Sequence, residues 1–99
     1  MKLLPADFAI SIHPGEVLAE ILEEKNISQS FLAKHLGMDP GKINEICRGR
    51  RGISATMAVA LSKALKVSAN TWLNLQKNWE LSQVDNNYGK DIIEIKVRV

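Results

Sequence analysis

The sequence has one cysteine, Cys47, and only two histidines, His13 and His35, which stand far apart along the chain. A single cysteine excludes an internal disulfide and a zinc site built from several cysteines. Neither histidine has clustered carboxylates or thiols beside it in the sequence. We therefore expect no metal site, and the cysteine usage is typical of a protein that works in the reducing cytoplasm.

Aromatic residues make up only 5% of the chain, and long apolar runs are missing. The core must therefore be built mostly from Leu, Ile, Val, Ala and Met. No run approaches the length of a membrane span, and Asp7 interrupts the apolar start where a signal peptide would continue. With 99 residues, the chain is long enough for one domain with its own core. We expect a soluble, cytoplasmic protein that does not associate with membranes.

The residue groups that enzymes use are also missing. We find no nucleophile with an adjacent base, no carboxylate pair in a cleft, no metal cluster and no glycine loop of the kind that binds phosphate. The glycines at 37, 41, 49 and 52 fit helix caps and turns instead. The sequence therefore predicts a binding protein that is not an enzyme and carries no cofactor.

Charge is small overall but unevenly distributed. The formal net charge is +2. Residues 42–52 hold four cations and one carboxylate, a local charge of +3, whereas residues 16–25 hold four glutamates and one lysine, a local charge of −3. One surface of the fold should be basic and another acidic.

Helix start and stop signals divide most of the chain into five short helices. The predicted starts are Pro14, Ser28, Asp39, Ser54 and Ser68. The predicted ends of the first three and the last are Asn26, Gly37, Gly49 and about Gln83. Apolar residues follow helical spacing in each segment. Short helices with connections of a few residues indicate a compact all-α bundle.

The C-terminal segment has a different pattern. Residues 85–89 are rich in turn formers, and after them Ile93, Ile95, Val97 and Val99 alternate with charged residues, as in a β-strand. One strand cannot stand alone. Its partner would be residues 8–12 of the same chain, a second subunit or another protein. We therefore divide the chain into a helical domain, residues 1–84, and a dimerisation or partner element, residues 85–99.

The second and third helices have the pattern of a helix-turn-helix, with a small residue, Ala33, at the close contact and Gly37 in the turn. Five further positions suit burial: Leu32, Leu36, Met38, Ile43 and Ile46. An ordinary helical hairpin shares this periodicity but does not require Ala33 and Gly37 together. The pattern therefore favours DNA binding, with the helix that begins at Asp39 entering the major groove.

Three side chains of this third helix are candidates for reading bases. Lys42 is suited to donate to guanine O6 and N7, Asn44 to bind a base or a phosphate, and Glu45 to accept from cytosine N4. Pro40 and Gly41 begin the same helix on the same surface, but neither has a side chain that donates or accepts a hydrogen bond.

Four other residues are candidates for binding the DNA backbone. Gln29, at the start of the second helix, is placed to hold a phosphate through its side chain and backbone N–H. Arg48, Arg50 and Arg51 lie at and just beyond the end of the reading helix, where cations meet phosphates. A single arginine is as easily a solvated charge, but the cluster beside this unit favours phosphate binding.

Other conspicuous residues have structural explanations. We expect Trp72 and Trp79 to anchor the core or a dimer interface. Cys47 is expected to be a packed, unreactive thiol. His13 should begin the first helix, and His35 should lie at the surface.

Several motifs resemble those of the HigA/VapI-type antitoxins, which belong to the Xre (lambda-repressor-like) helix-turn-helix family. They are Ile12-His13-Pro14-Gly15-Glu16-Val17-Leu18, Ser28-Gln29, Ile43-Asn44-Glu45-Ile46, Gly49-Arg50-Arg51-Gly52-Ile53 and Trp72-Leu73-Asn74-Leu75-Gln76. The resemblance extends over about residues 12–82. It implies a five-helix lambda-repressor-like fold, to which the sequence adds a short C-terminal β-strand.

The resemblance also implies a function. Such an antitoxin neutralises a HigB-type toxin, an mRNA-cleaving endoribonuclease, and represses their shared operon by binding operator DNA as a homodimer. Family members contact DNA through positions that match Gln29, Lys42, Asn44, Glu45 and Arg48. Two alternatives stay open: a repressor without a toxin, and a protein-interaction module that has lost DNA binding.

One departure from the family concerns Pro40 and Gly41. Related repressors often place base-contacting side chains at these two positions. Sequence preference should therefore rest on few contacts together with DNA shape, or binding should require two subunits.

Overall fold

The computed structural model describes residues 12–97 and has five α-helices in that range. They are α1 (Pro14–Glu24), α2 (Gln29–Leu36), α3 (Pro40–Cys47), α4 (Ala55–Leu65) and α5 (Ala69–Ser82). The predicted number and order of the helices are confirmed. The proposed division of the chain at residue 84 stays a prediction.

The helices begin where side chains cap their free backbone N–H groups. Ser28, Ser54 and Ser68 each accept a hydrogen bond from the N–H three residues on, at 3.0, 3.2 and 3.1 Å. Asp39 accepts one from Gly41 at 3.0 Å. α2 ends at Gly37, whose φ of +68° is left-handed and costs glycine little because it has no Cβ. The caps inferred from the sequence are therefore confirmed.

The core lies where the apolar faces of the helices meet, and Trp72 of α5 is its largest fully buried side chain. The other members are Leu18, Leu22, Leu32, Ala33, Ile43, Ile46, Ile53, Ala58, Leu61 and Leu65. Burying a large aliphatic side chain contributes about 1.5–3 kcal/mol. The core is aliphatic around one tryptophan, in agreement with the low aromatic content, and Trp72 belongs to the core of a single chain.

Gly15 lets α1 pack closely against α3. A Cβ at this position would overlap the backbone carbonyl oxygen of Ile46, which cannot move aside without distorting α3. Any residue with a side chain would therefore push the two helices apart. This contact fixes the orientation of α3 relative to the rest of the bundle.

The predicted C-terminal strand is wrong for the part of it that the structure describes. Residues 92–97 form neither helix nor strand, and Ile93, Ile95 and Val97 are exposed. The turn before them is present, with the Tyr88 N–H donating to the Asp85 carbonyl at 2.8 Å. The physical reason is that a strand needs a neighbour for its backbone hydrogen bonds, and residues 92–97 have none among residues 12–97.

The proposed partner strand, residues 8–12, lies outside the described residues except for Ile12. Residues 98 and 99 of the C-terminal strand lie outside them as well. Within residues 12–97, no helix is long and apolar enough to cross a membrane.

Candidate nucleic-acid interface

The unit formed by α2, its turn and α3 has the packing that its sequence predicts. Ala33 is fully buried where the helices meet, and the Met38 N–H donates to the Ala33 carbonyl at 2.9 Å, closing the turn. Ile43 and Ile46 of α3 are also fully buried. Since one side of α3 is buried in the core, its opposite side is presented outward.

The structure brings two predicted site residues, Gln29 and Asn44, into direct contact. The Asn44 Nδ2 donates to the Gln29 Oε1 at 3.1 Å, across 15 positions of sequence. This bond ties the first residue of α2 to the middle of α3. It leaves the Asn44 Oδ1 and the Gln29 Nε2 as the other hydrogen-bonding atoms of the pair, one acceptor and one donor.

Glu45, on α3, and Arg51, just beyond the end of α3, form an ion pair. The Arg51 Nη2 and Nε lie 2.8 and 2.9 Å from the Glu45 Oε1, and about half of each side chain is exposed. An exposed pair of this kind stabilises a fold by roughly 0–1 kcal/mol. Its main effect is to place a guanidinium over the middle of α3 and to compensate the charge of Glu45.

The remaining predicted contact residues are exposed and lie around this pair. Pro40, Gly41 and Lys42 form the first turn of α3 and are exposed. Arg48 caps the end of α3, and Arg50 follows it; both are exposed. The structure therefore brings the predicted residues together in two pairs, Gln29 with Asn44 and Glu45 with Arg51, and leaves the others exposed along α3 and just after it. Their roles toward DNA stay a prediction.

Asp39 changes the expected chemistry at the start of α3. Its carboxylate accepts the Gly41 N–H at 3.0 Å, so the first turn of the helix already has an anionic cap. A phosphate at this turn would lie close to the negative charge of that carboxylate. The cationic positions on this surface are Lys42 and the arginines that follow α3.

Sequence reasoning did not identify Gln76 as a residue that supports this surface. Gln76 is buried on α5, and its Oε1 accepts the Ile53 N–H at 2.8 Å. Its Nε2 donates to the Glu80 Oε2 at 3.0 Å. Gln76 thereby anchors the loop that leaves the arginine-rich segment. The available signal was its position four residues after Trp72, which places the two side chains on one side of a helix.

His13 begins α1, as predicted from its place before Pro14. Its Nδ1 accepts the Gly15 N–H at 2.8 Å, and the Glu16 carboxylate accepts the His13 N–H at 3.3 Å. The ring lies edge-on to Trp79, with 4.7 Å between ring centroids. Burial lowers the pKa of His13, and the nearby Glu16 charge opposes this effect.

The remaining thiol and histidine also agree with the sequence analysis. Cys47 is partly buried, and this burial raises its pKa, which favours the unreactive thiol over the thiolate. His35 is exposed and stacks on Phe31. Among residues 12–97, no three His, Cys, Asp or Glu side chains are grouped so that they could hold a metal ion.

Comparison with known proteins gives one family and several close relatives. The helix-turn-helix family model (HTH_3) matches residues 18–72, which include the whole α2–α3 unit. Virulence-associated protein I of Dichelobacter nodosus is 40% identical over 78 residues, which is 78% of this chain and 72% of that protein.

Two solved structures share the fold at similar identity. PA4674 of Pseudomonas aeruginosa, crystallised with its 18-base-pair operator DNA, is 41% identical with a TM-score of 0.78, over 88% of this chain and 98% of that one. The Pseudomonas aeruginosa antitoxin HigA, solved with the higBA promoter, is 42% identical with a TM-score of 0.77, over 88% of this chain and 97% of that one. The expected five-helix, lambda-repressor-like fold is confirmed.

Proposed function

The chain belongs to the helix-turn-helix family, in its HigA/VapI-type antitoxin branch, and on that premise we propose that it is an antitoxin that represses its own operon by binding operator DNA. The observation that carries the proposal is the surface of α2 and α3, where the Gln29–Asn44 bond and the Glu45–Arg51 pair lie together among exposed cations. Two relatives of the same fold were solved with operator or promoter DNA. The proposed activity is binding, with no catalytic step and no cofactor.

In this mechanism α3 enters the major groove. Lys42 donates to guanine, and the Gln29–Asn44 pair offers a donor and an acceptor to a base edge or a phosphate. The Arg51–Glu45 pair uses only the Glu45 Oε1, so Oε2 is the atom that accepts from cytosine N4. Arg48 and Arg50, at and just beyond the end of α3, bind phosphates of the DNA backbone.

The start of α3 limits what one subunit can read. Pro40 has no side-chain hydrogen-bonding group, Gly41 has no side chain, and the Asp39 carboxylate caps this turn. We infer that two subunits bind paired half-sites as a homodimer, which doubles the number of contacts. DNA shape supplies the rest of the preference.

The second part of the proposal is a protein partner. We propose that the chain neutralises a HigB-type mRNA endoribonuclease in the cytoplasm, because a 42%-identical protein of the same fold is the antitoxin HigA. The toxin would be encoded beside this chain as a small basic protein of about a hundred residues, which is the size of a single compact domain.

The DNA proposal is tested with the segment upstream of the gene for this chain. We expect the protein to bind that segment more tightly than a shuffled segment of equal length and composition. Lys42→Ala should reduce this preference by about 1–3 kcal/mol, as expected for a good base contact. Equal affinity for both segments would contradict operator binding.

The partner proposal is tested by expressing the chain together with its neighbouring reading frame. We expect the two proteins to co-purify and the neighbour alone to cleave mRNA and arrest growth. If the neighbour does not bind the chain while operator binding persists, the protein is a repressor without a toxin.

A further inference from the structure

The link between α3 and α4, residues 48–53, carries two of the cations that we assign to DNA binding. Arg50 and Arg51 are exposed and lie outside the helices. On such a link, the direction of a side chain follows from the backbone that carries it. Ordering a loop during association subtracts from the binding free energy. The contribution of these arginines to DNA binding therefore depends on whether the link is already fixed in the free protein.

Backbone hydrogen bonds fix only the first half of the link. The Arg50 N–H donates to the Glu45 carbonyl at 2.9 Å, so Arg50 continues directly from the last turn of α3. Within residues 12–97, no backbone-to-backbone hydrogen bond involves residues 51–53. The path of the second half therefore depends on a side chain from elsewhere in the fold.

That side chain is Gln76 of α5. Its Oε1 accepts the Ile53 N–H at 2.8 Å, across 23 positions of sequence, and Ile53 and Gln76 are 3% and 9% exposed. A buried N–H that loses its acceptor is costly. Without the amide, residues 51–53 would therefore favour a different path, in which the Ile53 N–H reaches water.

Gly52 packs directly on the same amide. A Cβ at Gly52 would lie 2.7 Å from the Gln76 Nε2 and 2.9 Å from its Oε1. The φ of Gly52 lies outside the left-handed region, so the backbone conformation does not require glycine. The amide requires it, because it occupies the space that a side chain would fill.

Glu80 sets the orientation of the amide. Its Oε2 accepts a hydrogen bond from the Gln76 Nε2 at 3.0 Å. An ionised carboxylate accepts hydrogen bonds and cannot donate them, so Glu80 selects the orientation that turns the Gln76 Oε1 toward Ile53. The two hydrogen bonds together hold the amide in one position against the link.

We propose that Gln76 is a positioning residue for DNA binding: its amide fixes the backbone of residues 51–53, and thereby the directions of Arg50 and Arg51, before DNA is bound. This inference rests on the proposed operator binding and deepens it, because it assigns part of the affinity to a residue of α5, outside the helix-turn-helix. Gln76 is itself buried and acts through the arginines.

The first test replaces the amide by an apolar chain of similar length. Gln76→Met should raise the dissociation constant for the upstream DNA at least about fivefold, because the arginines must then be ordered during binding. Circular dichroism shows that each variant is folded at the temperature of the measurement. A folded Gln76→Met variant with the wild-type dissociation constant would overturn the proposal.

Leu65→Ala is the control for a loss of stability alone. Leu65 is buried and is the last residue of α4, at the opposite end of that helix from Ile53. The substitution should lower the thermal midpoint, because it leaves a cavity, but should keep the dissociation constant within about twofold of the wild type. An equal loss of DNA binding in Leu65→Ala and Gln76→Met would mean that Gln76 contributes stability only.

The second test asks whether Gln76 acts through the arginines. In a background with Arg50→Ala and Arg51→Ala, Gln76→Met should change the dissociation constant by less than about twofold, because residues that act through one contact are not additive. Both backgrounds are measured at one low salt concentration, which keeps the weaker binding measurable. The same fold-change in both backgrounds would overturn the proposal.

The third test restores the hydrogen bonds with exchanged groups. Gln76→Glu with Glu80→Gln keeps the net charge, an acceptor for the Ile53 N–H and a donor between the two side chains. This double variant should bind the upstream DNA within about twofold of the wild type, whereas Gln76→Glu alone should bind more weakly because two carboxylates then adjoin. A folded double variant that binds as weakly as Gln76→Met would contradict the role of the Ile53 bond.

Gly52→Ala examines the same contact without a buried charge. It should weaken DNA binding in the wild type, since the new methyl group displaces the amide. In a Gln76→Ala background, where the space is free, the same substitution should change the dissociation constant by less than about twofold. Equal effects in the two backgrounds would refute the contact as the cause.

The inference and the proposed function can fail separately. A wild type that prefers the upstream segment to the shuffled one, together with a Gln76→Met variant that binds equally tightly, overturns this inference alone. A wild type that binds both segments with equal affinity overturns operator binding, and this inference with it.

Discussion

At the scale of single residues, the chain uses the dipeptide Pro-Gly twice in the first turn of a helix, for two different reasons. In α1, Gly15 lies against the carbonyl of Ile46 with no room for a Cβ. In α3, a Cβ on Gly41 would lie 3.5 Å from the Asp39 Oδ1, which is ordinary contact. The same dipeptide therefore excludes a Cβ in α1 but tolerates one in α3, and this difference comes from the tertiary packing.

Substituting each glycine by alanine tests this difference. Gly15→Ala should lower the free energy of unfolding by about 1–3 kcal/mol or more, because a rigid backbone group must shift to make room. Gly41→Ala, its matched control, should raise it by about 0.5–1 kcal/mol, because alanine loses less backbone entropy in a helix. Urea denaturation measures both values. Equal effects of the two substitutions would contradict the close α1–α3 contact.

His13 should make stability depend on pH. Burial lowers its pKa in the folded chain below the ordinary value of 6.5, and the neutral ring caps α1 by accepting the Gly15 N–H. As the pH falls below 6.5, His13 is protonated in the unfolded chain before it is protonated in the folded chain. The free energy of unfolding therefore decreases until His13 is protonated in the folded chain as well.

His13→Asn keeps an N-cap acceptor but does not titrate. Its stability deficit relative to the wild type should therefore be largest at pH 7.5 and shrink by pH 5. Urea denaturation across this pH range gives the comparison. A deficit that stays constant with pH would show that His13 does not contribute to the dependence.

At the scale of the elements, the helix-turn-helix positions two pairs of side chains rather than a set of independent ones. The Glu45–Arg51 pair joins the middle of α3 to the segment after it. Without Glu45, the Arg51 guanidinium is free to bind a phosphate. Without Arg51, the Glu45 carboxylate repels phosphates with its full charge. Their contributions to DNA binding should therefore not be additive.

A double-mutant cycle measures this coupling. We expect Glu45→Ala and Arg51→Ala to interact by at least about 0.5 kcal/mol in the free energy of DNA binding. Glu45→Ala with Lys63→Ala is the comparison cycle, because Lys63 is an exposed cation on α4 and lies outside this ion pair. Additivity in the Glu45–Arg51 cycle would mean that the pair does not persist on DNA.

The helices could be predicted from the sequence because each carries its own start signal, apolar face and stop. Ser28 and Gly37 enclose α2, and their effects are local. The strand predicted for residues 92–99 was wrong for residues 92–97, because a strand exists only with its neighbour. The prediction that was wrong thus concerns the element whose structure depends on residues beyond its own segment.

For the candidate site as well, the local features were predictable from the sequence and the contacts between distant elements were not. Exposure of Lys42 and Arg48 follows from helical periodicity, which places them away from Ile43 and Ile46. The Gln29–Asn44 bond and the support that Gln76 gives to Ile53 were not predictable. Each joins two elements distant in sequence, and their relative positions come from packing.

At the scale of the whole molecule, the net charge of +2 is too small to attract DNA by itself. DNA binding must therefore depend on where the cations lie. Arg48 and Arg50 follow the reading helix, whereas Lys63 and Lys77 are exposed on α4 and α5. Removing either pair changes the net charge by the same amount, so the two double variants separate a local surface from general attraction.

The most direct measurement is the salt dependence of binding to the upstream DNA, followed by fluorescence anisotropy. Each phosphate contact contributes about 0.9 to the slope of log K against log salt concentration. We predict that Arg48→Ala with Arg50→Ala weakens binding and reduces the slope by about two for each subunit bound. Lys63→Ala with Lys77→Ala should leave both nearly unchanged. If the two double variants have the same slope, the surface of α2 and α3 is not where this protein binds DNA.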